Sequence, residues 1–498
     1  MTIQSRCLAH NLLPGILMTC LSVSAMASDA VLKEAIDSIR SAHGISATAY
    51  FVVTADEIEQ FQMLGTTRHS GSTVLDADHL IRIGSITKTF TALAIAILAE
   101  RREGLLHETV TNIVGPKAFD NPWQPETPVK TAHLLEHTAG LRDLSKREFD
   151  FNTPVPLAKA FAVDPGSRRL AWPAGMHSSY SNSGAGIASA VIEAISGQGY
   201  EEFVRKEIFS PLGMNSARFS LDESATARLV SGYDSDGRTP IKYWHTLYRA
   251  FGAISVTPRD MVSFVQLFLN HGQHATQQLV SKATIERMLE PTTTLAAYSG
   301  LRYGYGLGIY QFQHRGVSFY GHGGDADGYL AFFAFSLELA RGYFVVINAY
   351  NNPALRQMRR AIEDAIVGGG KPADTATFKL GGDQFALLRG TYRQVTDRFP
   401  RNNDTPTIDV SIADGHLYTE TGGDGSQRRL VPTNLWHFRR LKQTVATIAF
   451  VPCSDRIYLK GDFGNYAKPA PGKRLARCPN AKDYALSTQR TPVPPIPQ

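Results

Sequence analysis

Cysteine is scarce: the 498-residue chain has 4. Cys7 and Cys20 lie in an apolar leader, which leaves Cys453 and Cys478 as one even pair in the last quarter of the chain. In an exported protein such a pair reads as a disulfide. Long hydrophobic runs are equally scarce. Beyond the leader no stretch of 18 or more uncharged apolar residues occurs, so no further segment is expected to span a bilayer. There is no internal repeat, no nucleic-acid recognition motif and no Gly-x-Ser-x-Gly elbow, which removes nucleic acid as a partner and leaves the α/β-hydrolase form of serine chemistry unsupported.

What is present begins with the leader. Arg6 is its only strong positive charge, an apolar run extends from Leu12 to Met26, and Ala25-Met26-Ala27 fits a small-residue cleavage site. Residues 1–27 therefore read as a signal peptide and the protein as exported, periplasmic or extracellular. An uncleaved anchor and lipidation at Cys20 are the lesser alternatives. The remainder, in a chain 43% hydrophobic and 19% charged, is too long for one core and suggests separate units.

Residues 28–367 read as one unit. Helical periodicity from Asp29 to His43 ends at Gly44, and two β-rich runs, 45–54 and 58–64, form a hairpin. About 105 to 300 is mostly helical and loop-like, with its clearest amphipathic helices at 185–195 and 261–269. Strands return at 306–313, 317–320, 329–337 and 343–349, and a helix at 355–367 closes the unit. Strands from both ends predict one antiparallel sheet, flanked by helices and carrying a large helical insertion: an α/β (α+β) architecture. Residues 368–374, with three successive glycines, read as a linker. Short β-like runs across 375–490 predict a small all-β barrel or sandwich, and the Pro-rich end, 491–498, a disordered tail. From Thr375 onward there are 18 Lys+Arg against 10 Asp+Glu, a basic unit suited to an anionic partner such as an envelope polymer.

The chemistry centres on Ser85-Ile86-Thr87-Lys88, at the start of a run with helical spacing. Ser85 and Lys88 fall near one face of a turn, where a desolvated lysine can take the serine proton. Tyr180-Ser181-Asn182 offers a second proton-shuttling group and a polar residue to orient Lys88 or bind a substrate amide. Beside a lysine cation, Tyr180 is expected to have a lowered pKa. His322-Gly323-Gly324, placed at a strand end, would let a substrate backbone approach, with His322 donating to a substrate carboxylate or carbonyl. The amides of Ser85 and Asp325 would face an oxyanion. Tyr350-Asn351-Asn352 and His314-Arg315-Gly316 repeat two of these patterns, the latter reading better as a turn. Asp325 and Asp327 carry a further expectation, a carboxylate that holds a substrate ammonium, against their use as turn residues.

Taken in order, Ile83–Phe90, Leu134–Leu141, Tyr180–Gly184, Pro211–Met214 and His322–Gly324 resemble the penicillin-recognising serine hydrolases of the class C β-lactamase type. These include lactamases, D-alanyl-D-alanine carboxypeptidases, D-aminopeptidases and esterases. The resemblance covers roughly 30–365 and implies a β-lactamase/transpeptidase-like fold. It also implies Ser85 as acylated nucleophile, Lys88 as base, Tyr180 as proton shuttle, Asn182 as orienter and His322 as third-motif residue. Leu388–Tyr392 resembles the lipocalin-like barrel that some members carry. His322 stands where class C lactamases usually have lysine, which favours peptidase or esterase action on a small molecule or short peptide over strong lactamase action. Two other readings remain, a β-lactamase or penicillin-binding hydrolase, and a non-catalytic binding protein on the same fold. His133-Leu134-Leu135-Glu136-His137 has the letters of an inverted zinc-peptidase motif but lacks a third ligand; no metal or other cofactor is expected.

Overall fold

The computed structural model describes residues 30–149, 151–369, 377–399, 405–421, 425–461, 464–470 and 478–479. The proposed leader and tail, and most of the linker, lie outside them. Helix α1 (30–42) stops before Gly44, whose φ of +64° turns the chain into the hairpin of β1 (Ala47–Val53) and β2 (Ile58–Gly65). The chain then leaves the sheet through α2 (Thr87–Arg101), α3 (Asn182–Ser196) and α4 (Asp260–Leu269). It returns as β3 (Tyr310–His314), β4 (Val317–Ala326), β5 (Tyr329–Ser336) and β6 (Arg341–Ile347), followed by α5 (Asn352–Val367).

The six strands form one antiparallel sheet in the order β2-β1-β6-β5-β4-β3, with Thr48 opposite Ile347 and His322 opposite Phe333. Period-two alternation splits its apolar residues. Phe51, Phe333, Phe344 and Val346 pack against α2 and α4, while Tyr50, Phe332, Val345 and Ile347 meet Leu32 and Ile36 of α1 and Met358 and Ile362 of α5. With both faces covered, β5 is buried at every residue, so its sequence is a continuous apolar run.

The helix after Ser85 differs from the spacing argument. From Thr87 to Leu98 every residue of α2 is buried. It is a central helix packed all round, so no single stripe dominates its composition. The two repeated patterns have local roles. Asn351 caps α5, accepting the Ala354 N–H at 3.0 Å. His314-Arg315-Gly316 turns β3 into β4, with Arg315 at φ +48° and His314 Nε2 2.6 Å from Asp364.

Eight antiparallel strands then close into a barrel, from Gly390–Gln394 round to Gly464–Pro469. Tyr392, Ile408, Leu417, Phe438, Phe450 and Leu459 form its core, and Cys453 is bonded to Cys478. Strands at Arg428–Pro432, His437–Arg440 and Gly464–Pro469 escape the sequence reading; they are short, and charged or glycine-flanked. The barrel docks on the sheet-and-helix unit. Ala449 and Val451 pack on Leu295, Ala296 and Leu301, Asn465 donates to the Ser178 carbonyl at 2.7 Å, and the Thr444 amide donates to Gln313 at 3.0 Å.

Candidate active site

Ser85 occupies the short turn Gly84–Ile86 that leads into α2. This turn is wedged against β4. Gly84 has φ +50°, and a Cβ there would lie 2.5 Å from the Asp325 carbonyl; a Cβ on Gly324 would lie 1.9 Å from the Ile83 carbonyl. Both glycines are thus required by the contact of the Ser85 turn with the strand. That corrects the expectation that the glycine pair admits a substrate: Gly324 admits Ile83. The strand-end placement is corrected too, because His322-Gly323-Gly324 lies within β4, hydrogen-bonded to β5. Since β3 pairs only with Val317–Gly321, residues 322–326 keep one open edge beside Ser85.

Lys88 follows one turn after Ser85. Its Nζ lies 3.0 Å from Ser85 Oγ and donates to the Phe251 carbonyl at 2.8 Å. Thr91 Oγ1 holds this second partner in place by donating to the neighbouring Ala250 carbonyl at 2.9 Å. Burial drives the Lys88 ammonium well below the ordinary lysine range; Asp143 opposes the shift, Arg398 reinforces it and Asp325 opposes it. A neutral amine in this position has a lone pair for the Ser85 proton.

Tyr180 reaches the same point from the loop before α3. Hydrogen bonds to His137 hold the loop on either side of it, Ser179 N–H to the His137 carbonyl at 2.7 Å and Ser181 N–H to Nδ1 at 3.2 Å. Its ring faces Lys88 Nζ at 4.9 Å and the Arg398 guanidinium at 4.7 Å. The expected lowering of its pKa does not occur. Burial raises it, and a side-chain hydrogen bond with Ser85 only partly opposes this. Desolvation outweighs the neighbouring cations, and Lys88 itself is held toward its neutral form.

Asn182 is buried beside them, but its amide donates to Asp143 Oδ2 at 3.3 Å and its backbone N–H to Asp143 Oδ1 at 2.8 Å. Its own Oδ1 is buried without a hydrogen bond. His322 is also committed. Nδ1 donates to the Gly323 carbonyl at 2.5 Å, so Nε2 accepts from the Tyr305 hydroxyl at 2.6 Å. Burial lowers its pKa to about 3. With both ring nitrogens occupied and no charge, His322 has no donor for a substrate carboxylate, contrary to the expectation for this residue.

The pentapeptide at 133–137 builds the surroundings of the site. Glu136 is fully buried and takes hydrogen bonds from Arg287 at 2.6 Å and from the Thr292 and Thr293 amides at 2.7 and 2.9 Å. His133 accepts from the Lys130 amide at 3.1 Å.

The site opens into a cleft of about 690 Å³ lined by Ser85, Tyr180, Asn182, His322–Asp325, Asp327, Trp244, Phe251 and, from the barrel segment, Arg398 and Phe399. Arg398 enters through a reciprocal pair of ion pairs, Arg142 Nη2 to Asp397 at 3.1 Å and Arg398 Nη2 to Asp143 at 2.5 Å. The structure places Ser85, Lys88, Tyr180, Asn182, His322, Gly323, Gly324 and Asp325 together. The sequence reading misses Asp143, the Phe251 carbonyl, Tyr305 and Arg398. Asp143 stands two residues beyond the quoted 134–141 motif; for Arg398, in a barrel loop, no local signal exists.

Residues 32–366 match the Beta-lactamase family. The chain belongs to it. It is thereby one of the penicillin-recognising serine hydrolases. Among relatives, it is 23% identical over 313 residues to penicillin-binding protein 4 of Amycolatopsis lactamdurans, covering 60% of this chain and 80% of that one. To the D-alanyl-D-alanine-carboxypeptidase/endopeptidase AmpH of Escherichia coli K12 it is 24% identical over 342 residues, 66% of this chain and 87% of the other. Its fold resembles the octameric penicillin-binding protein homologue from Pyrococcus abyssi, at TM-score 0.57 and 21% identity over 88% of this chain and 99% of that one. It also resembles a β-lactamase/D-alanine carboxypeptidase from Yersinia pestis, at 0.58 and 19% over 69% and 99%.

Proposed function

We propose that this chain is an exported hydrolase that opens amide or ester bonds by acyl transfer through Ser85, as a peptidase on D-amino-acid peptides or as an esterase. The carrying observation is the 3.0 Å approach of Lys88 Nζ to Ser85 Oγ by a buried lysine whose ammonium is disfavoured. Lys88 takes the Ser85 proton as Oγ attacks the carbonyl. The amides of Ser85 and Asp325, on two segments packed backbone to backbone, receive the oxyanion. Tyr180, neutral and hydrogen-bonded to Ser85, relays a proton to the leaving group, and water then releases the acyl group from Ser85.

A peptidase or esterase is preferred to a lactamase because His322 is neutral and bonded to Tyr305 and Gly323, and so cannot anchor a penicillin carboxylate as an ammonium does. The name of the Escherichia coli relative, a carboxypeptidase/endopeptidase, agrees with a peptide substrate. Export rests on the sequence of the first 27 residues, and contact with an anionic envelope polymer on the basic charge beyond Thr375.

The test is turnover of an ester, a D-aminoacyl amide, a D-Ala-D-Ala peptide and a chromogenic cephalosporin by the full chain and by Ser85→Ala. Cleavage of the ester or a peptide, lost in Ser85→Ala with the fold intact by circular dichroism, is expected. Turnover retained in Ser85→Ala contradicts the reading, and fastest turnover of the cephalosporin transfers it to the lactamases.

A further inference from the structure

The cleft carries opposite charges from two different parts of the chain. Asp325 is exposed on the open edge of β4, and the Tyr350 hydroxyl donates to its Oδ2 at 2.9 Å. Arg398 comes from the barrel. Its Nε and Nη2 are on Asp143 Oδ2, at 2.6 and 2.5 Å, which uses two of the five N–H donors of a guanidinium. Asp143 is completely buried, whereas the Arg398 side chain keeps 44% of its exposure. The guanidinium is thus anchored from behind and presented to the cleft. Both line the same cleft as Ser85, and each acts electrostatically on Lys88.

Other charged groups in the cleft are placed differently. His322 is neutral and committed. Arg359, on α5, is bonded to Glu363 at 3.2 Å and lies over the Phe332 ring. Arg356, also on α5, is exposed and lines the same cleft, and Asp327 acts on Arg82.

We infer that the substrate is a dipeptide with both ends free, its ammonium held by Asp325 and its carboxylate by Arg398. This rests on the acyl-transfer reading above and narrows it. A fully extended dipeptide spans about 7 Å, a length at which both ends stay near the scissile bond. Ser85 Oγ forms an ester with the first residue as the C–N bond breaks. The proton taken from Ser85 passes to the departing amine of the second residue. Water then cleaves the ester, restoring Ser85 and giving two free amino acids. The barrel is therefore part of the binding site, supplying the carboxylate anchor that His322 does not.

The experiment compares Ala-Ala, N-acetyl-Ala-Ala and Ala-Ala-amide, each in L,L and D,D forms, with the full chain, Asp325→Asn and Arg398→Gln. A covalent serine probe is applied to each protein in parallel. The free dipeptide is expected to exceed both blocked forms in kcat/KM by about 10-fold or more, the loss of one charge-assisted contact. Asp325→Asn should erase only the penalty for acetylation, and Arg398→Gln only that for amidation. Blocked forms cleaved as well as the free dipeptide overturn the inference, as does an acetylation penalty that persists in Asp325→Asn. Probe labelling of Ser85 without cleavage of any free dipeptide overturns it while leaving the hydrolase reading intact. Neither labelling nor turnover removes both.

Discussion

Arg398 of the barrel segment and Asp143 of the hydrolase unit form an ion pair at 2.5 Å, and the carboxylate is wholly buried. Asp143 also receives the Asn182 amide and opposes the depression of the Lys88 pKa, which Arg398 deepens. Domain docking and the charge state of the lysine are thereby coupled through one carboxylate.

Removing either partner should shift the acid limb of the kcat/KM–pH profile, in opposite directions. Asp143→Asn takes away a charge that favours the Lys88 ammonium, so its pKa falls and the limb moves to lower pH. Arg398→Gln takes away a charge that disfavours the ammonium, so the limb moves to higher pH. The position of the limb, rather than the height of the plateau, is the readout. Shifts of the same sign in both variants would count against Lys88 as the titrating base.

The glycine pair in β4 should not be equivalent. A methyl on Gly324 collides with the Ile83 carbonyl at 1.9 Å, whereas one on Gly323 meets the Phe332 ring at 3.4 Å and the Tyr310 hydroxyl at 3.8 Å, both ordinary contacts. Gly324→Ala is expected to destabilise by about 1–3 kcal/mol or more and to displace the Ser85 turn. Gly323→Ala should fold nearly as the parent does. Denaturant midpoints for the two variants check this; equal midpoints would mean that the Ser85 turn is not wedged on β4.

Acid should weaken the fold early. Burial lowers the pKa of His133 to about 3, His177 and His437 to about 4, and His322 to about 3; His137 lies well below its ordinary value. Between these values and the unfolded value near 6.5 the unfolded chain binds more protons, so stability rises with pH through that window and is lost as pH falls through it. Each such histidine costs on the order of 1–2 kcal/mol by pH 5. His177 lies beside Tyr458 and His437 is 3.2 Å from Ser299, so barrel docking should loosen in the same range. The melting temperature should be level above about pH 6.5 and drop steeply toward pH 4. A flat profile down to pH 4 contradicts the buried, neutral assignment.

The frame of this protein is legible because its signals are local. The apolar runs at 47–53 and 329–336 and the turn at Arg315-Gly316 each follow from neighbouring residues. The spacing of Ser85 and Lys88 is likewise local, and the Tyr180 and His322 segments follow from the ordered motifs. The electrostatics are not local. The direction of the Tyr180 shift depends on burial by segments far along the chain, and the commitment of His322 depends on Tyr305, 17 residues away. Arg398 is 255 residues from Asp143, in a barrel loop with no motif, and only the docking of the barrel puts it in the cleft. Strands such as Arg428–Pro432 are missed for a related reason: barrel closure satisfies their backbone despite an unpromising composition.

The most direct test of the central claim is the site of covalent labelling by a fluorophosphonate serine probe. Intact-mass analysis of the full chain, with peptide mapping, should show one adduct on Ser85. Labelling should be greatly slowed in Lys88→Ala, by about 10²- to 10⁴-fold for loss of a general base, and absent in Ser85→Ala. An adduct on another serine, or undiminished labelling of Ser85→Ala, would contradict the assignment of Ser85 as the nucleophile.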